Sequence, residues 1–544
     1  MITPPELRAI PLFANLPESE LERLARNVAD IHVMAGEYVV HEGEERALFV
    51  TVQGRLEVTK VVEGIERVIG VRKPGDLFGE VPVVLNTPFL AGLRALEASR
   101  VIRLEPRVFH SLAATTPEIG ETLGKAAFDR LEGLHDVAAQ APPPQLLVIG
   151  PRLDPACYEV REFLLRNQVP FDWVTPDDSA AAAIPASQNG RTVVKLQDGT
   201  IVVSPSIRQI ANAVGLSIAP AHTEYDVVII GGGPAGTAAA VYGASEGLRT
   251  VLIERRAPGG QAGQSSRIEN YLGFPFGVSG DELANRALHQ AKRFGAEIVV
   301  TRAAVAVNAA PLSVVLDGGD VLPTRTVVLA LGVTYRRLAL ESADRLTGKG
   351  IYYGAARSEA SSTQGQDIYL IGAGNSAGQA AMFFANYAKS VTLLCRGDSL
   401  AKSMSSYLIE QLKTKSNISV EVRSEVAGLY GNDHLEAIDV ANRDTGKTSR
   451  RETPALFALI GADTDTAWLP GEIARDKRGF VLTGDDVVKA GRWKLDRDPY
   501  LVETSAPGIF AVGDIRAGSV KRVAAGVGEG SIAIAFVHQF LQLA

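Results

Sequence analysis

The sequence is poor in cysteine, which excludes a disulfide framework. Its 544 residues include two cysteines, Cys157 and Cys395, which lie far apart in the chain. It has no run of about 18 apolar residues, the length that a membrane-spanning helix requires. The first residues also lack the basic start and long apolar run of a secretory signal. These absences predict a protein of the reducing cytoplasm.

The sequence also has no excess of basic residues and no cluster of metal ligands. The formal net charge is −7 and basic residues are scattered, which argues against a nucleic-acid or anionic membrane partner. The eight histidines show no metal-ligand spacing, so we expect no metal site. The composition, 46% hydrophobic with 53 glycines, suits an α/β protein. The length exceeds the roughly 250–300 residues that one core supports, so we expect several domains.

Three segments differ in their pattern. Residues 1–140 contain short β-type runs separated by glycine turns, which predicts a small barrel or roll. The proline run at 142–144 predicts a linker. Residues 145–218 alternate strand, amphipathic helix and strand before a hairpin, which predicts a small α/β domain. Residues 224–544 hold two separate strand–glycine loop–helix units.

The first glycine loop has every part of a dinucleotide-binding unit. An apolar strand leads into GGGPAG, a helix of small residues follows, and the next strand ends at an acidic residue. The three glycines allow a tight turn, a close approach to a pyrophosphate, and close packing of helix on strand, while the acid accepts ribose hydroxyls. The candidate ligands here are Gly231, Gly233, Pro234, Ala235, Gly236 and Glu254.

The second glycine loop, GAGNSAG at 372–378, lacks that acid. Arg396 lies near the vacant position, which relaxes the preference for a free 2′-hydroxyl and permits a 2′-phosphate. Ser376 is expected to cap the helix. Two such units in one chain fit a flavin-plus-nicotinamide design. The candidate ligands of NADPH or NADH are Gly372, Gly374, Asn375, Ser376, Ala377, Arg396 and Lys402.

Residues 224–544 resemble a thioredoxin-reductase-type flavoprotein. The motifs that carry the resemblance are GGGPAG, GGQ, IENYLGFP, GAGNSA and GIFAVGDI. The resemblance implies multidomain α/β architecture, bound FAD and a homodimer. It also implies an FAD domain in two parts, 224–335 and 466–544, around a nicotinamide domain at 336–465. The further FAD ligands that it implies are Gln261, Asn270, Gly513, Asp514, Lys521, Arg522 and Val523.

The chain departs from this family at the redox-active cysteine pair. The matching stretch, 351–362, reads IYYGAARSEASS, with Gly354 and Arg357 near the two cysteine positions. A dithiol relay needs a thiolate, so we expect electrons to leave the flavin directly. The acceptor would be a quinone, a free flavin, oxygen or a small electron-transfer protein. Two alternatives stay open: a flavin-based sensor with little turnover, and a disulfide reductase acting through Cys157.

The small α/β segment resembles a thioredoxin or glutaredoxin. Its active-site position reads Asp154-Pro155-Ala156-Cys157, so only the second of the two cysteines remains. Pro205 matches the position of the cis-proline of that fold. One interpretation is a degenerate structural domain. The other is that Cys157, near a helix start, has a lowered pKa.

The first segment resembles a cyclic-nucleotide-binding domain. GEYVVHEG, FVTVQGRLEV and GDLFGEVPVVLNTPF fit its β-roll, and Gly79 and Glu80 begin its phosphate cassette. Phe89 stands where the family has the arginine that pairs with the cyclic phosphate. The interpretations are ordinary cyclic-nucleotide binding, a different ligand, or a docking role.

Overall fold

The computed structural model forms two compact units, Met1–Pro143 and Pro144–Ala544. The residues it describes are 2–62, 65–85, 87–139, 144–151, 154–182, 184, 190–265, 267–275, 277–354, 360 and 363–543.

The N-terminal unit is a β-roll with flanking helices. In the described part of this unit, eight strands pair antiparallel in two four-stranded sheets. The elements are α1 (Pro4–Arg8), α2 (Glu18–Asn27), β1 (Ala29–Val33), β2 (Tyr38–Val40), β3 (Leu48–Gln53), β4 (Leu56–Val62), β5 (Ile65–Arg72), β6 (Leu77–Phe78), α3 (Glu80–Leu85), β7 (Gly92–Ala95), β8 (Ser99–Leu104), α4 (Pro106–Thr115) and α5 (Pro117–Ala139). The sheet orders are β1-β8-β3-β6 and β2-β7-β4-β5. This is the architecture expected from the glycine-punctuated strands.

Residues 145–218, here the small domain, form one four-stranded sheet with helices. Its elements are β9 (Leu146–Ile149), α6 (Pro155–Arg166), β10 (Phe171–Val174), α7 (Ser179–Ala182), β11 (Val193–Leu196), β12 (Ile201–Val203) and α8 (Ile207–Ala213). The strand order is β10-β9-β11-β12, and β9 and β10 run parallel. The predicted hairpin is present as the antiparallel pair β11–β12.

The rest of the chain contains two sheets of parallel strands. In chain order the elements begin with β13 (Tyr225–Ile230), α9 (Pro234–Ser245), β14 (Thr250–Glu254), α10 (Gly280–Arg293), β15 (Glu297–Val300), β16 (Ala304–Ala309), β17 (Leu312–Leu316) and β18 (Val321–Leu329). They continue with β19 (Thr334–Tyr335), α11 (Ala343–Leu346), β20 (Ile351–Tyr353), β21 (Asp367–Ile371), α12 (Asn375–Phe384), β22 (Ser390–Cys395), α13 (Ser406–Lys413), β23 (Ile418–Val422), β24 (Ser424–Tyr430), β25 (Ala437–Asn442), β26 (Thr448–Glu452), β27 (Leu456–Ala458) and β28 (Ala462–Asp463). They end with α14 (Asp485–Lys489), β29 (Ile509–Ala511) and α15 (Val523–Leu543).

The first dinucleotide domain is built on the sheet β15-β14-β13-β18-β17-β16, with β29 paired to β18. Strands β13, β14, β15, β18 and β29 are parallel. The second dinucleotide domain has the parallel order β20-β27-β21-β22-β23 and a three-stranded antiparallel sheet, β24-β25-β26. The short pair β19–β28 joins the two domains. In both, the glycine loop follows a central strand, at the carboxyl end where such sheets bind ligands.

Helix α15 packs closely against α9. A Cβ atom on Gly530 would lie 2.1 Å from the carbonyl oxygen of Ala235, so only glycine permits this approach. Among the described helices, α15 is the one with the length and hydropathy of a membrane span. Its apolar character has a structural reason, because Ala533, Ile534 and Val537 are buried.

The small domain packs on the first dinucleotide domain. One cluster of buried apolar side chains includes Val148 and Phe163 of the small domain and Val227 of β13. Polar contacts reinforce this packing. The Arg208 guanidinium pairs with Asp317 and donates to the carbonyl oxygen of Thr301 at 3.1 Å. The domain is therefore anchored beside the first glycine loop.

Candidate active site

The first glycine loop has a conformation that other residues would strain. Gly231 has a φ of +107°, and a Cβ atom there would lie 2.3 Å from the carbonyl oxygen of Ala330. A Cβ atom on Gly236 would lie 1.9 Å from the carbonyl oxygen of Gly231. Strand, loop and helix therefore pack as tightly as the sequence predicts.

The space beside Gly233 is open. Gly233 caps α9, and a Cβ atom there would have its nearest neighbour, the Cα atom of Gly260, at 3.9 Å. Pro234 occupies the first helical position, where its missing N–H has no cost. The free N–H groups of the helix start favour an anion in this space. The loop thus fits the pyrophosphate of a dinucleotide.

Glu254 ends β14 and is held by the loop itself. Its Oε2 atom accepts a hydrogen bond from the backbone N–H of Gly232 at 2.8 Å, and its Oε1 atom accepts one from that of Arg256 at 2.9 Å. The side chain is 9% exposed. Each oxygen keeps a lone pair, so the fixed carboxylate can accept ribose hydroxyls.

The loop before α15 brings several predicted FAD ligands to the start of that helix. Gly513 donates its N–H to Glu529 Oε2 at 2.7 Å. Burial raises the pKa of Asp514 above its usual value. The ammonium of Lys521 donates to the backbone oxygen of Asp514 at 3.1 Å and lies over the Phe480 ring. Arg522 is exposed and precedes Val523, the first residue of α15.

Gln261 and Asn270 differ in how firmly they are held. Gln261 donates its side-chain amide to the carbonyl oxygen of Val333, which ties it to the segment leading into β19. Asn270 lies in an exposed stretch after Ile268. Its approach to a flavin stays a prediction.

The second glycine loop repeats the design with one correction. A Cβ atom on Gly374 would lie 4.0 Å from its nearest neighbour, so the space beside the start of α12 is open. Ala377 is buried beneath the turn at Gly372. The expectation that Ser376 caps the helix is wrong, because α12 begins at Asn375 after Gly374, which makes no side-chain cap.

Asn375 has a local role. Its side-chain oxygen accepts from the N–H of Ser405 at 2.7 Å, and its amide donates to the Ser405 hydroxyl at 2.9 Å. This pair ties the start of α12 to the start of α13.

Arg396 and Lys402 are not equivalent. Arg396 follows β22, is exposed and has no ion-pair partner in the described part of the chain. Lys402 pairs with Asp398 at 2.8 Å, and its hydrogen bond lowers the pKa of that carboxyl group. Arg396 is therefore exposed at the end of β22, and its contact with a 2′-phosphate stays a prediction.

A tyrosine lies against the segment that matches the family's cysteine pair. A Cβ atom on Gly354, where φ is +87°, would lie 2.9 Å from the ring of Tyr335. Burial raises the pKa of Tyr335 to about 12. Arg357 lies outside the described residues. Tyr335 was not predicted from the sequence, because no local pattern around it indicated a contact with Gly354.

Cys157 is buried in the small domain. Its side chain is 0% exposed, and burial raises the pKa of its thiol. The alternative of a lowered pKa is therefore wrong. Asp154 caps α6 by accepting from the Cys157 N–H at 2.8 Å. Pro205 also departs from the resemblance, since the cis peptide bond among the described residues is Ala310–Pro311.

Helix α6 contacts both dinucleotide domains, which the sequence did not indicate. Arg166 donates to the carbonyl oxygens of Ala257 at 2.9 Å and Gly260 at 3.2 Å. At the other end of the helix, Tyr158 lies against Tyr352, with ring centroids 6.0 Å apart. The amphipathic helix of this segment was predicted, but not its partners.

In the N-terminal unit, Gly79 directly precedes α3 and Glu80 is the first residue of that helix. Glu80 is 2% exposed, and Arg130 donates to its Oε1 atom at 2.7 Å. Phe89 is also buried. The position of the expected arginine is thus filled by an aromatic ring.

The comparisons with known proteins agree with this geometry. Residues 225–530 match the pyridine nucleotide-disulphide oxidoreductase family, and residues 30–116 match the cyclic nucleotide-binding domain. A thioredoxin reductase of Bacillus subtilis is 30% identical over 322 residues, which cover 58% of this chain and 95% of the relative. A Clostridium pasteurianum relative, "34.2 kDa protein in rubredoxin operon", is 27% identical over 319 residues, which cover 58% of this chain and 97% of the relative.

Solved structures give the same result. Thioredoxin reductase of Lactococcus lactis superposes with a TM-score of 0.53 at 26% identity, covering 59% of this chain and 100% of that one. The T. acidophilum enzyme gives 0.52 at 25% identity, covering 58% and 99%. The family uses FAD and NADPH. The chain therefore belongs to the pyridine nucleotide-disulphide oxidoreductases, as an FAD-dependent NAD(P)H oxidoreductase of the thioredoxin-reductase type with a cyclic nucleotide-binding domain at its N-terminal end.

Proposed function

We propose that this oxidoreductase passes electrons from its flavin directly to an acceptor, without a cysteine relay. One observation carries the proposal. The stretch 351–362 contains no cysteine, although both glycine loops keep the space that a dinucleotide needs. The chain thus retains the parts for taking electrons from a nicotinamide and lacks the part for handing them to a disulfide.

In this proposal the two glycine loops bind different dinucleotides. The start of α9 and Glu254 bind the pyrophosphate and ribose of FAD, and the start of α12 binds NADPH or NADH. Arg396 contributes a cation for the 2′-phosphate that distinguishes NADPH. When bound, FAD supplies the chemistry that accepts a hydride and releases its electrons one at a time or in pairs. No side chain here provides this chemistry.

The acceptor is a quinone, a free flavin, oxygen or a small electron-transfer protein. A disulfide acceptor needs an accessible thiolate. Cys157 and Cys395 are both buried, in different domains. The alternative of a reductase acting through Cys157 is therefore disfavoured. A sensor with little turnover is disfavoured by the open space beside Gly374, which such a protein does not need.

The test is anaerobic mixing of the purified flavoprotein with NADPH or NADH, while the bleaching of the flavin absorbance is followed. Rapid bleaching is expected, followed by recovery when a quinone is added, and with no requirement for thioredoxin. The variant Gly374→Val fills the space beside α12 and should abolish bleaching while FAD stays bound. Gly471→Val is the control, since Gly471 has no neighbour within 4 Å of its Cβ position. No bleaching of the wild type by either donor contradicts the proposal and favours the sensor.

Cytoplasmic location and a homodimer stay predictions. Two buried, unpaired cysteines are consistent with a reducing compartment. Sedimentation of the purified protein tests the dimer directly.

A further inference from the structure

The N-terminal unit contains a cavity of about 220 Å³ between β5, α3 and α5. Pockets for drug-sized ligands usually span roughly 300–1,000 Å³, so this one fits a small molecule. The cavity has an apolar wall and a few polar groups, with Asp129 exposed at its edge. The lining residues that matter are Val58, Ile69, Phe78 and Phe89 on the wall, and Arg72, Glu80 and Arg130 as polar groups.

The position where the family pairs a cyclic phosphate with arginine is apolar here. Phe89 is 2% exposed, and its ring stacks on Phe78 with centroids 5.3 Å apart. A Cβ atom on Gly79 would lie 3.0 Å from Phe89 Cζ, so the ring covers the start of α3. A phosphate placed there would be buried without a cation, which is costly.

Glu80 offers an acceptor that nothing in the described chain uses. Its Oε1 atom accepts from Arg130, which also donates to the carbonyl oxygen of Leu77 at 2.7 Å. Its Oε2 atom is buried and has no hydrogen-bond partner among the described residues. A buried carboxylate oxygen without a donor is unfavourable, so a ligand hydroxyl or amine would satisfy it.

Arg72 is a cation of the same cavity that lacks a hydrogen-bond acceptor. Its Nε atom is buried without a partner in the described chain, and its Nη1 atom donates to the carbonyl oxygen of Val71 at 3.2 Å. Burial lowers the pKa of Arg72, and the charge of Arg130 lowers it further. An anion beside Arg72 would relieve both effects.

We propose that this cavity binds a small aromatic organic anion, whose anionic group pairs with Arg72 and whose hydroxyl or amine donates to Glu80 Oε2. The aromatic body lies on the wall formed by Phe78, Phe89, Val58 and Ile69. The cation that pairs with the ligand is thus Arg72, in place of an arginine at position 89. A 3′,5′-cyclic nucleotide in the family's orientation is not the ligand.

The test uses the full-length protein and a matched pair of fluorescent probes. The probe 8-aminonaphthalene-1-sulfonate has an aromatic body small enough for this cavity, an N–H donor and one sulfonate. Its neutral parent, 1-naphthylamine, lacks only the sulfonate. The wild type should bind the sulfonate about tenfold more tightly than the parent, because charge-assisted hydrogen bonds contribute roughly this much. Equal affinities for the two probes would overturn the proposal without any variant.

Variants locate the anion site. Arg72→Met should abolish the preference for the sulfonate, and Arg72→Lys should keep part of it. Arg67→Met, on the same strand but outside the cavity lining, is the control and should behave as wild type. Thermal unfolding verifies that each variant is folded. A preference that survives in a folded Arg72→Met, or displacement of the probe by micromolar cyclic AMP, would overturn the proposal.

Discussion

The ring of Tyr335 occupies the space that a side chain at position 354 would need. The Cβ position of Gly354 lies 2.9 Å from Cε2, Cζ and Oη of the tyrosine. Tyr335 belongs to β19, in the strand pair that joins the two dinucleotide domains, and Gly354 directly follows β20. Residues 351–362 contain no cysteine, and a side chain at position 354 would meet the Tyr335 ring.

This contact predicts coupled effects of two substitutions. Gly354→Ala should destabilise the protein by about 1–2 kcal/mol for its left-handed backbone and by a further 1–3 kcal/mol, roughly, for overpacking against Tyr335. In a Tyr335→Ala background the second contribution should vanish. Free energies of unfolding from urea titrations of the four variants measure this coupling.

Gly365→Ala is the control for the backbone contribution. Gly365 has a φ of +70° in the same domain, and no atom lies within 4 Å of its Cβ position. Gly365→Ala should therefore be destabilised by the backbone strain alone, with no contribution from overpacking. Additive effects of Gly354→Ala and Tyr335→Ala would show that the ring yields freely and that this space is not closed.

The open space beside Gly233 predicts a variant that folds but loses its flavin. Gly233 has a φ of −72°, which any residue adopts, so Gly233→Val introduces bulk without backbone strain. That bulk stands where the pyrophosphate would approach the N–H groups of α9. The ratio of flavin absorbance to protein after purification should fall at least about tenfold. Gly471→Val should purify with full flavin, and full flavin in Gly233→Val would place the cofactor elsewhere.

Arg396 predicts the donor preference. Removing the cation in Arg396→Leu should weaken the binding of NADPH by about tenfold or more, since hydrogen bonds to charged groups contribute roughly 1.5–3 kcal/mol. NADH should be little affected. Lys402→Leu is the matched control, because Lys402 already pairs with Asp398. KM values for both donors measure the effect, and an equal change for NADH and NADPH would assign Arg396 a structural role.

The raised pKa of Cys157 predicts slow alkylation with an unusual pH dependence. Because burial raises the pKa of this thiol, it stays protonated at pH values where a free cysteine, with a pKa of about 8.5, is already ionised. The reaction of native protein with iodoacetamide should therefore keep accelerating above the pH where free cysteine levels off. Folding loses stability as the pH rises past the unfolded pKa, since only the unfolded thiol then ionises.

The control for this prediction is Cys157→Ser, in which the remaining thiol is Cys395, also buried. Its flavin bleaching by NAD(P)H should match the wild type. A levelling of the alkylation rate below the pKa of free cysteine, or loss of turnover with an electron acceptor while bleaching is kept in this variant, would restore Cys157 as a redox residue.

The sequence predicted what depends on local chain geometry. The glycines of both loops act on atoms within a few residues or on the adjacent strand, so the motif carries the geometry. Ser376 does not cap α12 because Gly374 is the N-cap and the helix begins at Asn375, just as α9 begins at Pro234 after Gly233. Tyr335 and Arg130 were not predicted. Tyr335 contacts Gly354, and Arg130 contacts Glu80, which lies 50 residues away in the sequence. Contacts of that kind depend on tertiary packing, which no single-sequence pattern encodes.

Arg166 predicts a role for the small domain in holding the flavin. Its Nη2 atom donates to the carbonyl oxygens of Ala257 and Gly260. That loop lies on the first glycine loop, because the N–H of Gly259 donates to the carbonyl oxygen of Gly232 at 2.7 Å. The small domain therefore fixes the backbone that flanks the proposed pyrophosphate site.

In Arg166→Met these carbonyl groups lose their donor while they stay partly buried, which costs about 1–3 kcal/mol. Part of that cost should appear in the affinity for FAD, as an increase of about tenfold in the dissociation constant. Fluorescence quenching of FAD on addition to apoprotein measures it. Arg191→Met is the control, since Arg191 is an exposed arginine of the same domain. An unchanged dissociation constant in Arg166→Met would reduce the small domain to a passive neighbour, because its main polar contact with the loop would then have no effect on the cofactor.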